Sequence, residues 1–251
     1  MSTSPSEKWM VWLDIDNTLY KNRHLKRTTT ASTRIAAAMT ERIHAFFVTL
    51  GLPEDEAHEL HMRYYKEYGL AIRGLMKHHG IDGLVFDRAC DQTLPLEEAL
   101  RPDPAIRKLL EDIDRSKARV WALTNAYSIH ANRVLNILNL RDLVEDIVFC
   151  DYTMSPFPCK PELEFYQEAM QRAGVTDPSR CLFVDDSLLN CRAAKQLGWG
   201  HVVWFCEDGT AKISMHGPAV EDPRKVEGVD AVVFSILELR DIWSFVFKTE
   251  G

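Results

Sequence analysis

Apolar residues along this chain gather into short unbroken runs, and each run stops at a polar residue. Trp9–Leu13 ends abruptly at Asp14, Val120–Leu123 at Thr124-Asn125, Ile147–Cys150 at Asp151, and Cys181–Val184 at Asp185-Asp186. Val202–Phe205 and Ala231–Phe234 are two further runs. Runs of this length, bounded by polar stops, predict buried strands. Between them, apolar positions recur at helical spacing. Pro104–Asp114 carries Ile106, Leu109, Leu110 and Ile113, and Ile129–Leu138 carries Val134, Leu135 and Leu138. Glu162–Arg172 follows Pro161, a residue suited to a first helical position. Leu188–Leu197 stops at Gly198, a residue that commonly ends helices. Strands alternating with such helices predict right-handed βαβ units and a parallel sheet.

One stretch breaks the rhythm. From residue 28 to 100 the pattern is helical, with no clear strand. Ile35–Leu50 is amphipathic, Glu54–Tyr68 opens after Pro53, and Leu70–His79 predicts a third helix. Leu94-Pro95-Leu96 and Arg101-Pro102-Asp103-Pro104 punctuate the return. The expectation is an α/β protein: a Rossmann-like parallel-sheet core, residues 1–27 and 101–251, with a helical cap, residues 28–100, inserted after the first strand. Thr28 and Arg101-Pro102 are the expected hinges. Ile236–Phe247 reads as a final helix.

Composition narrows the classes. The 251 residues are ample for a sizeable core, and the formal net charge of −7 argues against a nucleic-acid polymer as partner. None of the six cysteines forms a CxxC pair, which argues against a zinc site, and reduced, mostly buried thiols are expected. The nine histidines form no HxH or HExxH spacing and read as core or surface residues. The opening Met1–Ser6 segment is polar, unlike a secretory leader, and no apolar run approaches the roughly 20 residues that cross a bilayer. A cytoplasmic protein without membrane partners is the expectation, with the nucleus left open.

The candidate chemistry lies at the strand ends. In an open parallel sheet, ligands bind beyond the carboxyl ends of the strands. Those ends offer Asp14 and Asp16, Thr124 and Asn125, Lys160 beyond the third run, and Asp185 and Asp186. Four carboxylates at one edge repel one another, and a hard cation such as Mg²⁺ is the usual remedy. A lysine and a hydroxyl in the same crevice suit phosphate oxygens. The set predicts a site for Mg²⁺ and phosphate.

Asp14-Ile15-Asp16-Asn17-Thr18 resembles the DxDxT motif of the haloacid dehalogenase-like phosphatases. Thr124, Lys160-Pro161 and Val184-Asp185-Asp186-Ser187 resemble the family's three later motifs, in the family's order. The segment Tyr64–Leu75, with Asp16–Lys21 and Thr124–Tyr127, is similar to fungal-type pyrimidine 5′-nucleotidases. The resemblance implies that Asp14 is a nucleophile that becomes an aspartyl phosphate. It implies that Asp16 protonates the leaving oxygen and then activates water. Asp14, the Asp16 carbonyl and Asp186 would hold Mg²⁺, with Asp185 either a direct ligand or one step removed. Thr124 and the Asn125 backbone NH would bind phosphate oxygens, and Lys160 would neutralise growing charge. Tyr68 and Arg73 are the cap residues expected to touch substrate.

The implied activity is a 5′-nucleotidase releasing phosphate from UMP and CMP, its partner a small phosphate ester. Purine nucleotides or lysophosphatidic acid are alternative substrates. A metal-free dehalogenase, a phosphomutase, and a non-enzymatic phospho-switch or binding protein are the competing classes.

Overall fold

The computed structural model describes residues 8–20, 35–207 and 222–249. Thr28, the leading Met1–Ser6 segment and Lys21 lie outside the described residues. Six parallel strands form one sheet in the order β3-β2-β1-β4-β5-β6: β1 Trp9–Leu13, β2 Ala118–Leu123, β3 Ile147–Val148, β4 Cys181–Asp185, β5 His201–Phe205 and β6 Ala231–Val233. In register, Leu13 lies beside Ala122 of β2 and Val184 of β4, so Asp14, Thr124 and Asp185 emerge at one edge. The expected α/β parallel-sheet core is present.

Side chains alternate across the sheet. Val11, Leu13, Val120, Leu182, Val184 and Val203 enter one apolar cluster, beneath α6 (Pro104–Glu111) and α7 (Ser128–Ile137). Met10, Trp12, Trp121, Phe183 and Val202 enter the other, covered by α8 (Leu163–Ala173) and α9 (Leu188–Gln196). A sheet buried on both faces explains why its strands read as continuous apolar runs. The helices that cover it start on local capping bonds. The Asp103 carboxylate accepts the Ala105 NH at the start of α6, and Ser187 caps α9.

Among the described residues, five further helices lie between β1 and β2: α1 Ile35–Val48, α2 Glu54–Tyr68, α3 Ala71–His79, α4 Gly83–Ala89 and α5 Leu96–Ala99. Helix α2 ends at Gly69 with φ 75°, a left-handed turn that glycine adopts without strain. Helices α1 to α4 join the second apolar cluster through Phe46, Phe47, Tyr64, Ile72, Leu75 and Phe86, whereas Leu96 of α5 enters the first. No strand lies between β1 and β2 among the described residues.

Three expectations shift. The third run pairs only at Ile147–Val148, because Cys150 turns away and its thiol donates to the Pro158 carbonyl. Helices α4 and α5 escaped the sequence reading, being too short to show a period. The tail is not one helix. It breaks into a 3₁₀ turn (Ile236–Glu238), α10 (Leu239–Ile242) and a second 3₁₀ turn (Ser244–Val246). Ile236, Leu239, Trp243 and Val246 thereby pack into the first cluster, and Phe247 bridges to Ile113. Tertiary packing overrode the helical period there.

Candidate active site

The chain turns sharply after β1. Asn17 takes φ 62°, a left-handed conformation that asparagine tolerates, and the Leu19 NH donates to the Ile15 carbonyl at 3.0 Å. The turn returns Thr18 to Asp14, where its hydroxyl donates to Asp14 Oδ2 at 2.7 Å. Lys160 Nζ donates to Asp14 Oδ1, Asp185 Oδ2 and the Leu123 carbonyl, each at 2.7 Å. Lys160 is 2% exposed, Asp14 5% and Asp185 0%. Burial disfavours the Lys160 charge, but Asp14 and Asp185 outweigh it and hold its pKa above the ordinary value. Burial pushes the Asp14 carboxyl up to about 7, with a further push from Asp185, against the pull of Lys160.

The two acidic residues after β4 differ in environment. Both oxygens of Asp185 are engaged. Oδ1 accepts the Ser187 NH at 2.7 Å, Oδ2 accepts Lys160, and the Asn190 amide reaches both at 3.1 Å. Asp186 is half-buried, and no described residue donates a hydrogen bond to its carboxylate. Burial and the charges of Asp14 and Asp185 push its pKa well up.

Carboxylate oxygens of Asp14, Asp185 and Asp186 lie within 4.8 Å of one another. With Asp16, four carboxyls share this edge with one ammonium, Lys160, and one imidazole, His130. An excess of buried negative charge, an oxygen-only donor set and an acid with no hydrogen-bond donor among the described residues fit a hard divalent cation such as Mg²⁺.

Asp16 Oδ1 meets the Tyr20 hydroxyl and His130 Nε2, both at 2.8 Å. Burial opposes its charge, yet His130 and Tyr20 together hold its pKa below the ordinary carboxylate value. Thr124 is buried, and its oxygen accepts the Ala126 NH at 3.1 Å. The Asn125 side chain clasps Lys160: Nδ2 donates to the Lys160 carbonyl at 2.9 Å and Oδ1 accepts the Lys160 NH at 2.7 Å. Asp14, Asp16, Thr124, Asn125, Lys160, Asp185 and Asp186 thus come together at one sheet edge.

The two cap residues named from sequence lie elsewhere. Arg73 donates to Glu162 Oε1 at 2.7 Å, to the Tyr68 carbonyl at 2.7 Å and to Cys159 Sγ at 3.2 Å. The Tyr68 hydroxyl pairs with His78 at 2.6 Å. Both line a separate cavity of about 320 Å³ with Phe157, not the cavity that reaches Asp16. That second cavity, about 290 Å³, lies between the inserted helices and the sheet edge. Asp16, Asn17, Asn125 and Ala126 form its polar floor, with Tyr65, Phe86, Tyr152, Asp91 and His130 in its walls. Thr18, Tyr20, His130, Ser187, Asn190, Tyr65 and Asp91 were not singled out from sequence as site residues. Thr18 inside the DxDxT motif, Ser187 inside Val184–Ser187, Tyr20 inside Asp16–Lys21 and Tyr65 inside Tyr64–Leu75 carried a signal. His130 carries no local one.

The family model for haloacid dehalogenase-like hydrolases matches residues 10–198. Phosphate metabolism protein 8 of Saccharomyces cerevisiae is 35% identical over 213 residues, which is 81% of this chain and 63% of that relative. The chain therefore spans under two thirds of that relative's length. Among solved structures, CbbY from Rhodobacter sphaeroides, in complex with phosphate, is similar with a TM-score of 0.61 at 16% identity, over 92% of this chain and 96% of that one. The HAD-hydrolase YfnB from Bacillus subtilis, bound to magnesium, gives 0.56 at 16% identity, over 94% and 99%. At these identities the two structures share the fold. The family match, together with a buried Asp14–Lys160–Asp185 array at the sheet edge, places the chain among the haloacid dehalogenase-like hydrolases.

Proposed function

We propose that this protein hydrolyses phosphate monoesters through an aspartyl phosphate on Asp14, and that its substrates are pyrimidine nucleoside 5′-monophosphates. One observation carries the reading: a buried carboxylate, Asp14, held in place by Thr18 and Lys160 beside a second carboxylate, Asp186, to which no described residue donates a hydrogen bond. Asp14, Asp186 and the Asp16 carbonyl would hold Mg²⁺, which when bound offsets the repulsion between an anionic nucleophile and an anionic phosphate. Asp185, committed to Lys160, Ser187 and Asn190, orients the lysine instead.

An Asp14 oxygen attacks phosphorus, the ester P–O bond breaks, and the leaving oxygen takes a proton from the Asp16–His130 pair. Water then attacks the phosphorus and gives a proton to Asp16. The P–O bond to Asp14 breaks, and inorganic phosphate leaves. Thr124 and Lys160 would bind the phosphate oxygens, and the Asn125 clasp holds the Lys160 backbone. The aromatic and aliphatic walls of the 290 Å³ cavity suit a flat base, which supports a nucleoside leaving group.

The test is phosphate release from UMP, CMP, AMP, GMP and lysophosphatidic acid, with Mg²⁺ and with EDTA. Mg²⁺-dependent release from UMP and CMP is expected, and Asp14→Asn should abolish it while the protein stays folded. Release from another ester alone would overturn the substrate. Undiminished release in EDTA, or by Asp14→Asn, would overturn the mechanism.

A further inference from the structure

The cavity above Asp16 contains a group that the hydrolytic chemistry does not use. Asp91 opens the short 3₁₀ turn that follows α4, and it is only 3% exposed. Its Oδ2 is fully buried and has no hydrogen-bond partner, and neither oxygen accepts a bond from a described residue. A buried carboxyl left in this state costs about 1–3 kcal/mol or more. Its neighbour Asp87 offers no relief, being acidic itself and engaged by Gln92 at 2.6 Å. Asp91 instead lines the cavity, together with His130, whose Nδ1 is also buried and unpartnered. His130 Nε2 is committed to Asp16, the residue that serves the leaving oxygen. Two unpartnered polar atoms therefore stand beside the place where the leaving group sits, within walls that are otherwise largely apolar.

We infer that Asp91 is a specificity residue: its carboxylate accepts a hydrogen bond from a ribose hydroxyl of the leaving group and so selects ribosyl phosphates over esters without hydroxyls. The inference rests on the reading of the site as a phosphomonoesterase and adds the feature of the substrate that it recognises. A carboxylate oxygen accepts, so its partner must donate. A sugar hydroxyl does so, and an acyl chain or an aryl ring does not. A site that buries an acceptor for a hydroxyl also rejects the analogue lacking it, because the acceptor is then left unpaired.

The experiment compares kcat/KM for UMP, 2′,3′-dideoxyuridine monophosphate and p-nitrophenyl phosphate, on the wild-type chain and on Asp91→Ala, with the thermal midpoint of each protein. The wild-type chain should prefer UMP over its dideoxy analogue by roughly 10- to 100-fold, the range for one hydrogen bond to a charged group. Asp91→Ala should bring that ratio close to one without lowering the thermal midpoint, since the carboxylate it removes has no partner to lose. The wild-type comparison needs no variant, so it decides even if Asp91→Ala is unstable. Equal rates on the two nucleotides, or a preference that survives Asp91→Ala, would each overturn the inference. Hydrolysis of p-nitrophenyl phosphate without any hydroxyl preference would overturn it and leave the phosphomonoesterase reading intact. A wild-type chain inert on all three esters would overturn both.

Discussion

Lys160→Met is the sharpest probe of how the site is built. Methionine keeps an unbranched stem of similar length and removes the ammonium. Lys160 Nζ makes three bonds of 2.7 Å, two of them to buried carboxylates. Hydrogen bonds to charged groups contribute roughly 1.5–3 kcal/mol each. Breaking a buried ion pair by removing one partner costs about 3–5 kcal/mol. Both routes converge near 4 kcal/mol. In a chain of this size, 1 kcal/mol moves the thermal midpoint by roughly 2–4 °C, so a fall of about 8–16 °C is expected. The assay is thermal and urea unfolding at neutral pH in EDTA, so that no cation takes over the neutralising role. Asp185→Asn and the double variant complete a cycle, in which a coupling of about 1 kcal/mol or more is expected. A fall below about 2 °C, or no coupling, would place Lys160 in solvent and refute the array.

Thr18→Val removes the donor to Asp14 Oδ2 and should cost about 1–2 kcal/mol; phosphate release and urea unfolding check it, and an unchanged turnover would remove Thr18 from the positioning of Asp14. His61 is buried against Phe47 with an unpartnered Nδ1, and burial lowers its pKa to about 4. Between pH about 6.5 and 4 the unfolded chain then binds the extra proton, so stability is lost as pH falls, by about 3 kcal/mol in all. An equal acid slope in His61→Leu would refute that origin. Gly83→Ala would place a methyl group 2.3 Å from the Tyr152 carbonyl oxygen, where α4 meets the segment after β3. A loss of about 1–3 kcal/mol is expected in thermal unfolding, and a wild-type midpoint would show that the contact yields.

The core of the site was legible in the sequence because it is local to strand ends. Asp14, Thr124 and Asp185 each follow or end an apolar run, and a parallel sheet brings such ends to one edge whatever lies between them. The family's spacing then separated Asp14 and Lys160 from ordinary turn residues such as Asp151, whose carboxylate caps its own loop at Thr153. The inserted helices were less legible. Tyr68 and Arg73 occupy an amphipathic segment whose period tells which residues face inward, not which cavity they reach.

The apolar runs and their polar stops determined a parallel α/β sheet, the helical insertion and the residues of the acidic edge, since these depend on period and short-range order. Tertiary structure decided the rest. His130 meets Asp16 across 114 residues, and Arg73 meets Glu162 across 89. No local pattern encodes such pairings, because they arise from how helices pack over the sheet edge. Among the described residues, the same packing left Asp186 without a donor and Asp91 Oδ2 buried without a partner. Whether a carboxyl is satisfied or orphaned depends on every group around it, and the chain brings those groups together only when it folds.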